Sequence, residues 1–209
     1  MSNKLTMASA LLAMTTLTNA AQASSYFGLS AGMSSLDVSK SDFDSVLQGA
    51  PATSSLDDGS FAWSAQIGYR WGKYIAAELG YIDLGEANYR ADVAGLDQSY
   101  TLRLTSSGPT LSVLGILPIG DHIDLHAHAG LIYSSTRLVE RLETPTGEIV
   151  DSFGDKASAK DFFVGVGGAW NIGTSFALRL EYQRFLDVGD DDVTGETDID
   201  VITFGVLFR

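Results

Sequence analysis

Three histidines, His122, His126 and His128, recur at even spacing on one alternating run, with Asp124 among them. At a period of two residues all four side chains share a face. A His-x-His pair is a beginning of a zinc site, which needs three or four ligands around one point. A single strand cannot wrap a metal, no third ligand is identified on a neighbouring run, and the chain contains no cysteine. Polar interior histidines are therefore the reading, with no metal and no cofactor assigned. A second set of charged residues, Arg70, Glu78, Arg103, Asp124, Arg179 and Glu181, interrupts otherwise apolar runs. Charges of both signs on the polar faces of alternating strands point to ion pairing inside a closed wall. A third chemistry, hydrolysis of lipid by a Ser-His-acid set, would have to reach the face or rim where lipid lies. The parity of His126 and His128 sends them the other way, and there is no G-x-S-x-G motif. No catalytic residue is assigned, and the protein is not read as an enzyme. The stretch from Asp190 to Gly195 has the acids and the glycine of a calcium loop at positions one, three and six. Its twelfth position is Val201, where a bidentate Glu is required, so it reads as a solvated acidic loop.

The elements that hold these residues are strands. After Ser25 the sequence is nearly all period-two runs, with no convincing helix, over roughly 25–36, 60–71, 74–84, 98–118, 122–138, 160–171, 175–186 and 197–208. Gly72-Lys73, the turn at 118–121 and Ile172-Gly173-Thr174 are tight hairpin connections. The alternate connections, about 37–59, 85–97, 139–159 and 187–196, are long and rich in Asp, Glu, Gly, Ser and Thr. Short turns at one end and long polar loops at the other predict an all-β fold, an eight-stranded antiparallel up-and-down transmembrane β-barrel. An even strand number puts both ends of the barrel at the short-turn side. The fourth run carries a parity conflict: Tyr100, Leu102 and Leu104 alternate on one phase, Leu111 and Val113 on the other. A bulge between Ser106 and Pro109 is the simplest device that reconciles them.

Which face points inward follows from size. Strand after strand sets large apolar groups against small or charged ones: Phe61, Trp63, Ile67 and Trp71 against Ala62, Ser64, Gly68 and Arg70, or Leu178, Leu180 and Tyr182 against Arg179, Glu181 and Gln183. The interior of an eight-stranded barrel is just wide enough for side chains to fill. Six or more aromatic rings would crowd it. Small residues with a few long polar ones fit, so the apolar face is expected to meet lipid. The aromatics gather at two levels. Phe27, Trp71, Tyr74, Trp170, Phe176 and Phe208 lie toward the short turns; Phe61, Trp63, Tyr81, Tyr100, Tyr133, Phe162 and Tyr182 lie toward the long loops. Two interfacial girdles are the mark of a membrane barrel. The predicted lumen network is Arg70, Glu78, Arg103, Asp124, His126, His128, Arg179 and Glu181. Its expected role is structural, as a plug that also sets strand register; a narrow ion or small-solute pore is the alternative.

Residues 1–23 read as a secretory signal, with Lys4, an apolar stretch over about 7–17 and the Ala21-Gln22-Ala23 cleavage pattern, leaving 24–209 as the barrel domain. The apolar stretch is shorter than the roughly 20 residues that a spanning helix needs. Apart from Lys4 the chain carries 12 basic and 26 acidic residues, which excludes nucleic acid as a partner, since phosphates demand a basic footprint. The partners expected are outer-membrane lipid and lipopolysaccharide, and an extracellular ligand or host surface met by the long acidic loops.

"YFGLSAG" at 26–32, "AAELGYIDLG" at 76–85, "LRLEYQRF" at 178–185 and the closing "ITFGVLFR" at 202–209 resemble, in their order and spacing, the transmembrane domain of OmpA-like outer-membrane proteins. The resemblance covers essentially all of 24–209. It implies an eight-stranded barrel in a Gram-negative outer membrane, surface-exposed loops, a mainly structural or surface-interaction role, and a lumen network that includes Glu78, Arg179 and Glu181. Larger family members continue through a linker into a peptidoglycan-binding domain. No such segment is read here, so tethering of membrane to cell wall is not implied. Family barrels also tend to end on an aromatic residue as an assembly cue, whereas this sequence ends Phe208-Arg209.

Overall fold

The computed structural model describes residues 24–36, 53–57, 59–92, 99–143, 149–190 and 195–209. The proposed signal segment and parts of the four long connections lie outside these residues. The strands are β1 (Ser24–Leu36), β2 (Thr53–Asp57), β3 (Gly59–Trp71), β4 (Ile75–Asp92), β5 (Ser99–Ile119), β6 (Ile123–Glu143), β7 (Ile149–Ile172), β8 (Phe176–Asp190) and β9 (Gly195–Phe208). All pair antiparallel. β2 and β3 run one after the other along the same edge of β4, so together they form one stave. β1 pairs with β9 and β4 with β5. The result is a closed barrel of eight staves, which leaves no unpaired edge in the wall.

The wall is inside out relative to a soluble protein. Glu78 is buried at 7% exposure while its neighbour Leu79 is 53% exposed. The same alternation continues through Phe27, Leu29 and Met33 on β1, Leu111, Val113 and Leu117 on β5, and Ile202, Phe204 and Phe208 on β9, all exposed. On β6 the outward apolar band runs from Ile123 to Tyr133. That is 11 residues, the length a tilted strand needs to cross the hydrocarbon. Leu79→Arg, one outward position below the Tyr81 belt, is expected to destabilise the barrel by roughly 2 kcal/mol, the lower end of the range for a cation near the bilayer midplane. Urea unfolding in lipid vesicles measures it; an unchanged midpoint would contradict a lipid-facing Leu79.

Three expectations change. First, β5 has no bulge between Ser106 and Pro109. Its register against β6 is continuous on both sides of that stretch, and the irregularity sits opposite, in β4 between Asp83 and Glu86. Gly85 takes a positive φ of 81° there, a conformation that glycine reaches without strain. The parity conflict vanishes because Leu104 belongs to the interior, where it packs against a buried apolar cluster. Second, the long connections are partly strand: β4 runs to Asp92, β6 to Glu143 and β7 starts at Ile149. Strand pairing persists beyond the apolar band because the wall's hydrogen bonds do not depend on lipid. Third, Tyr100 pairs with Ala91 and Leu142, nine residues beyond Pro109, which stands opposite Tyr81 at the belt. Its backbone therefore stands well above that belt, and its side chain lies outside the described residues.

Candidate functional site

The barrel interior is filled in three tiers. At the short-turn mouth, Asp124 of β6 accepts from Arg70 of β3 at 2.8 Å and from Asn171 of β7 at 3.1 Å. Arg209, just past β9, brings its guanidinium to 3.7 Å of the same carboxylate. Its backbone N–H donates to the Ser175 carbonyl at 2.8 Å. Arg70 also donates to the carbonyls of Gly72 and Lys73, so one side chain fixes both the Asp124 pair and the adjoining turn. The chain's final Phe-Arg is thereby divided between faces. Phe208 is exposed on the lipid side, its ring 6.5 Å from Phe27, while Arg209 turns under the lumen.

In the middle tier Arg179 of β8 lies between two carboxylates. It donates to Glu78 of β4 at 2.6 Å and is ion-paired with Glu181 two residues along its own strand. Tyr26 of β1 donates to the same Glu78 oxygen at 2.6 Å. The Nε2 atoms of His126 and His128 each lie 3.2 Å from a Glu181 oxygen, and Gln183 donates to that carboxylate as well. Arg179 is only 3% exposed. Room for these long side chains comes from glycine. A Cβ on Gly68 would meet the Tyr26 ring at 2.1 Å, on Gly165 it would meet His128 Nε2 at 1.9 Å, and on Gly167 the His126 ring at 2.7 Å. The glycines that looked merely small in the sequence are the cradle of the network.

The third tier is mainly apolar, with buried Asp161 accepting from Ser134 at 2.6 Å beside Ile132. Ile82, Leu84, Ile132, Phe163, Phe185, Ile199 and Val201 close the lumen toward the long-loop end. Phe163 stacks on Phe185 at 4.9 Å and meets the edge of His128 at 5.5 Å, so the hydrophobic tier rests directly on the charged one. Residue parity alone did not reveal it. The signal available in the sequence is a pair of adjacent apolar residues at the upper end of several strands: Tyr81-Ile82, Leu131-Ile132, Phe162-Phe163 and Val201-Ile202. One member of each pair faces lipid and the other the lumen.

Of the expected network, Arg70 and Asp124 lie together at the mouth, and Glu78, His126, His128, Arg179 and Glu181 lie together in the middle tier. Arg103 is a correction. It is 54% exposed in its side chain, 3.6 Å from Glu86 and hydrogen-bonded to Asn88. It shares the outward parity of Leu111 and Val113, because β5 keeps one phase throughout. Tyr26, Asn171, Gln183 and Arg209 are network members not picked out from sequence: neutral side chains carry no charge signal, and a terminal Arg has no parity to read. His122 is exposed beside the 120–122 turn, away from the other two imidazoles. Among the described residues, no three metal-binding side chains are arranged to hold an ion.

The outside has two notable areas. An apolar groove of about 870 Å³ crosses the lipid-facing wall of β5–β8, where Gly115, Ala127 and Gly168 leave the surface low between Leu117, Leu125 and Leu180. Above the belt on β8 and β9, Arg184 donates to Asp198 at 2.8 Å and Tyr182 to Asp200 at 2.6 Å. The Arg184 hydrogen bond, helped by the Asp187 N–H, holds the Asp198 carboxyl below the usual carboxylate range. Whatever stability this contributes is present above the ordinary Asp pKa and lost as pH falls through the lowered value.

A family model described as "OmpA-like transmembrane domain" matches residues 20–209. Outer membrane protein A of Escherichia fergusonii is 29% identical over 147 residues, covering 68% of this chain and 38% of that relative. Outer membrane protein A of Klebsiella pneumoniae is 29% identical over 153 residues, covering 68% and 39%. The chain thus spans about two-fifths of the length of these relatives. Among solved structures, Neisserial surface protein A aligns over 90% of this chain and 99% of its own, with a TM-score of 0.51 and 14% identity. At that identity the likeness concerns the fold alone.

Proposed function

The chain belongs to the family of OmpA-like transmembrane domains and lies in the cell outer membrane, and on that premise we propose that it is a sealed structural barrel rather than a pore or an enzyme. The observation that carries the reading is the filling of the lumen by its middle and third tiers. A charged network is bonded from wall to wall, and a mainly apolar tier lies directly above it, with the buried Ser134–Asp161 hydrogen bond beside Ile132. An ion entering from the long-loop end would have to shed its water in a constriction lined by Phe163, Phe185, Ile132 and Val201. Such constrictions block passage by dewetting. The polar tier then acts as the register-fixing plug, and the strand ends and long connections beyond the membrane are the parts available for surface partners. Those partners are outer-membrane lipid, lipopolysaccharide and an extracellular ligand or host surface. Residues 1–23 are proposed as the cleaved export signal; the N-terminal residue of the membrane-purified protein checks that boundary.

The test is planar-bilayer conductance of the refolded protein. A sealed barrel gives no steady single-channel current at moderate voltage. Regular openings with ion selectivity would instead establish the narrow-pore alternative.

A further inference from the structure

We propose that the outer wall of β5–β7, just above the aromatic belt, is a binding face for the phosphorylated headgroup of lipopolysaccharide; this deepens the lipid partnership given under the proposed function and rests on it. The face is assembled by strand register. Lys160 on β7 stands opposite Tyr133 on β6, at the belt itself. Lys156 stands opposite Arg137, and Arg137 in turn opposite Thr105 of β5, with Arg103 one outward position further along. Arg141 continues the column on β6. All five cations are exposed. They are five of the 12 basic residues in a strongly acidic protein once Lys4 is set aside. Among the described side chains, this stretch of β5–β7 presents no outward carboxylate. Among the described side chains, only Arg103 of these five has an ion pair, with Glu86 of β4. The wall of β8 and β9 at comparable height is the contrast, for there Arg184 is matched by Asp198 and Asp200.

The shape of the face selects the ligand. The side chains project sideways from the barrel wall, toward whatever surrounds it, and the lowest of them is level with the belt. From Tyr133 to Arg141 the column climbs eight residues of β6, about 26 Å along the strand and roughly 19 Å in height at a 45° tilt. The headgroup zone of an ordinary phospholipid leaflet is only about 5–8 Å deep, so a single phosphate there reaches Lys160 and little else. A glycolipid headgroup carrying several anionic groups at successive heights matches the whole column. A soluble polyanion would meet the upper cations but would have to displace the surrounding leaflet to reach Lys160.

The test compares the mature protein with the triple variant R137Q/K156Q/K160Q and with Lys73→Gln, a control at the opposite end of the barrel. Each is refolded in detergent and titrated with intact lipopolysaccharide, with dephosphorylated lipopolysaccharide and with a soluble sulfated polysaccharide. For intact lipopolysaccharide the triple variant should bind roughly 100-fold more weakly, scaled from the attraction of individual Lys and Arg side chains to an anionic surface. The control should bind as the wild type does, and raised salt should narrow the difference. The wild type should discriminate against the dephosphorylated form. If the triple variant does not fold, Lys160→Gln alone should weaken binding about 5-fold on the same scale. Equal affinity of variant and wild type overturns the proposal, as does equal binding of both forms of lipopolysaccharide. So does a variant that loses only a soluble sulfated polysaccharide. Heat-dependent gel migration and outer-membrane fractionation of the same samples report the barrel independently, so a failed binding face remains distinguishable from a failed outer-membrane assignment.

Discussion

Arg179→Met should destabilise the barrel by about 3–5 kcal/mol, the cost of removing one partner from a buried ion pair. Among the described residues the guanidinium is the one Arg or Lys cation between Glu78 and Glu181, and both carboxylates are buried. Without it, two negative charges face each other across the lumen with Tyr26, Gln183 and two imidazoles as their remaining partners. Glu78→Gln alone should cost less, because Glu181 still neutralises the arginine. The triple variant R179M/E78Q/E181Q should recover a substantial part of the loss, since an isosteric neutral replacement of a buried charge network is often close to neutral and groups sharing one network are not additive. Equilibrium urea unfolding in lipid vesicles gives the energies. Strict additivity of the three substitutions would show that the network is not the unit described here.

Phe185→Ala carries the second large effect, again about 3–5 kcal/mol for a fully enclosed aromatic. Phe185 is 0% exposed, stacked on Phe163, and surrounded by Ile132, Ile199 and Val201. Phe204, equally aromatic but on the lipid face, is the control: truncating it opens no void, because lipid fills the space. The functional readout separates the tiers. Removing Phe185 and Phe163 together exposes His128 and the charged tier below to water from the long-loop side, so the double variant should conduct in a planar bilayer where the wild type does not. A silent double variant would place the seal in the charged tier instead.

How much of this was legible beforehand depended on whether a strand advertised both of its faces. The inside-out wall followed from parity in β1, β3, β6, β8 and β9, where bulky and small or charged residues alternate without interruption. The lower two tiers followed from the same parity, because charged residues on a polar face have nowhere else to go. Parity misled on β5. Being apolar, Leu102 and Leu104 read from sequence as lipid-facing, which sets the phase change in β5 and turns Arg103 into the lumen. The change belongs to β4 at Gly85, and a bulge in one strand cannot be read from the side chains of its neighbour. The apolar third tier escaped for the same reason: once the barrel is read as apolar-out, an inward isoleucine or phenylalanine has no place in the pattern. The cradle at Gly68, Gly165 and Gly167 was invisible because a glycine opposite a long side chain is a relation between strands, set by register.

The central ion pair joins residues 101 positions apart in the chain, and the β1–β9 seam joins its two ends, with Phe27 opposite Phe208. Neighbouring hairpins can form while most of the cylinder is still open, since their contacts are local. The Arg179–Glu78 contact cannot, because β4 and β8 face each other only across a completed ring. The entropy of bringing such distant segments together is met before the contact returns anything. Arg179 thus serves as a clock hand for assembly. Substitutions there should leave the early, hairpin-forming phase of insertion unchanged and raise the rate at which the finished cylinder comes apart.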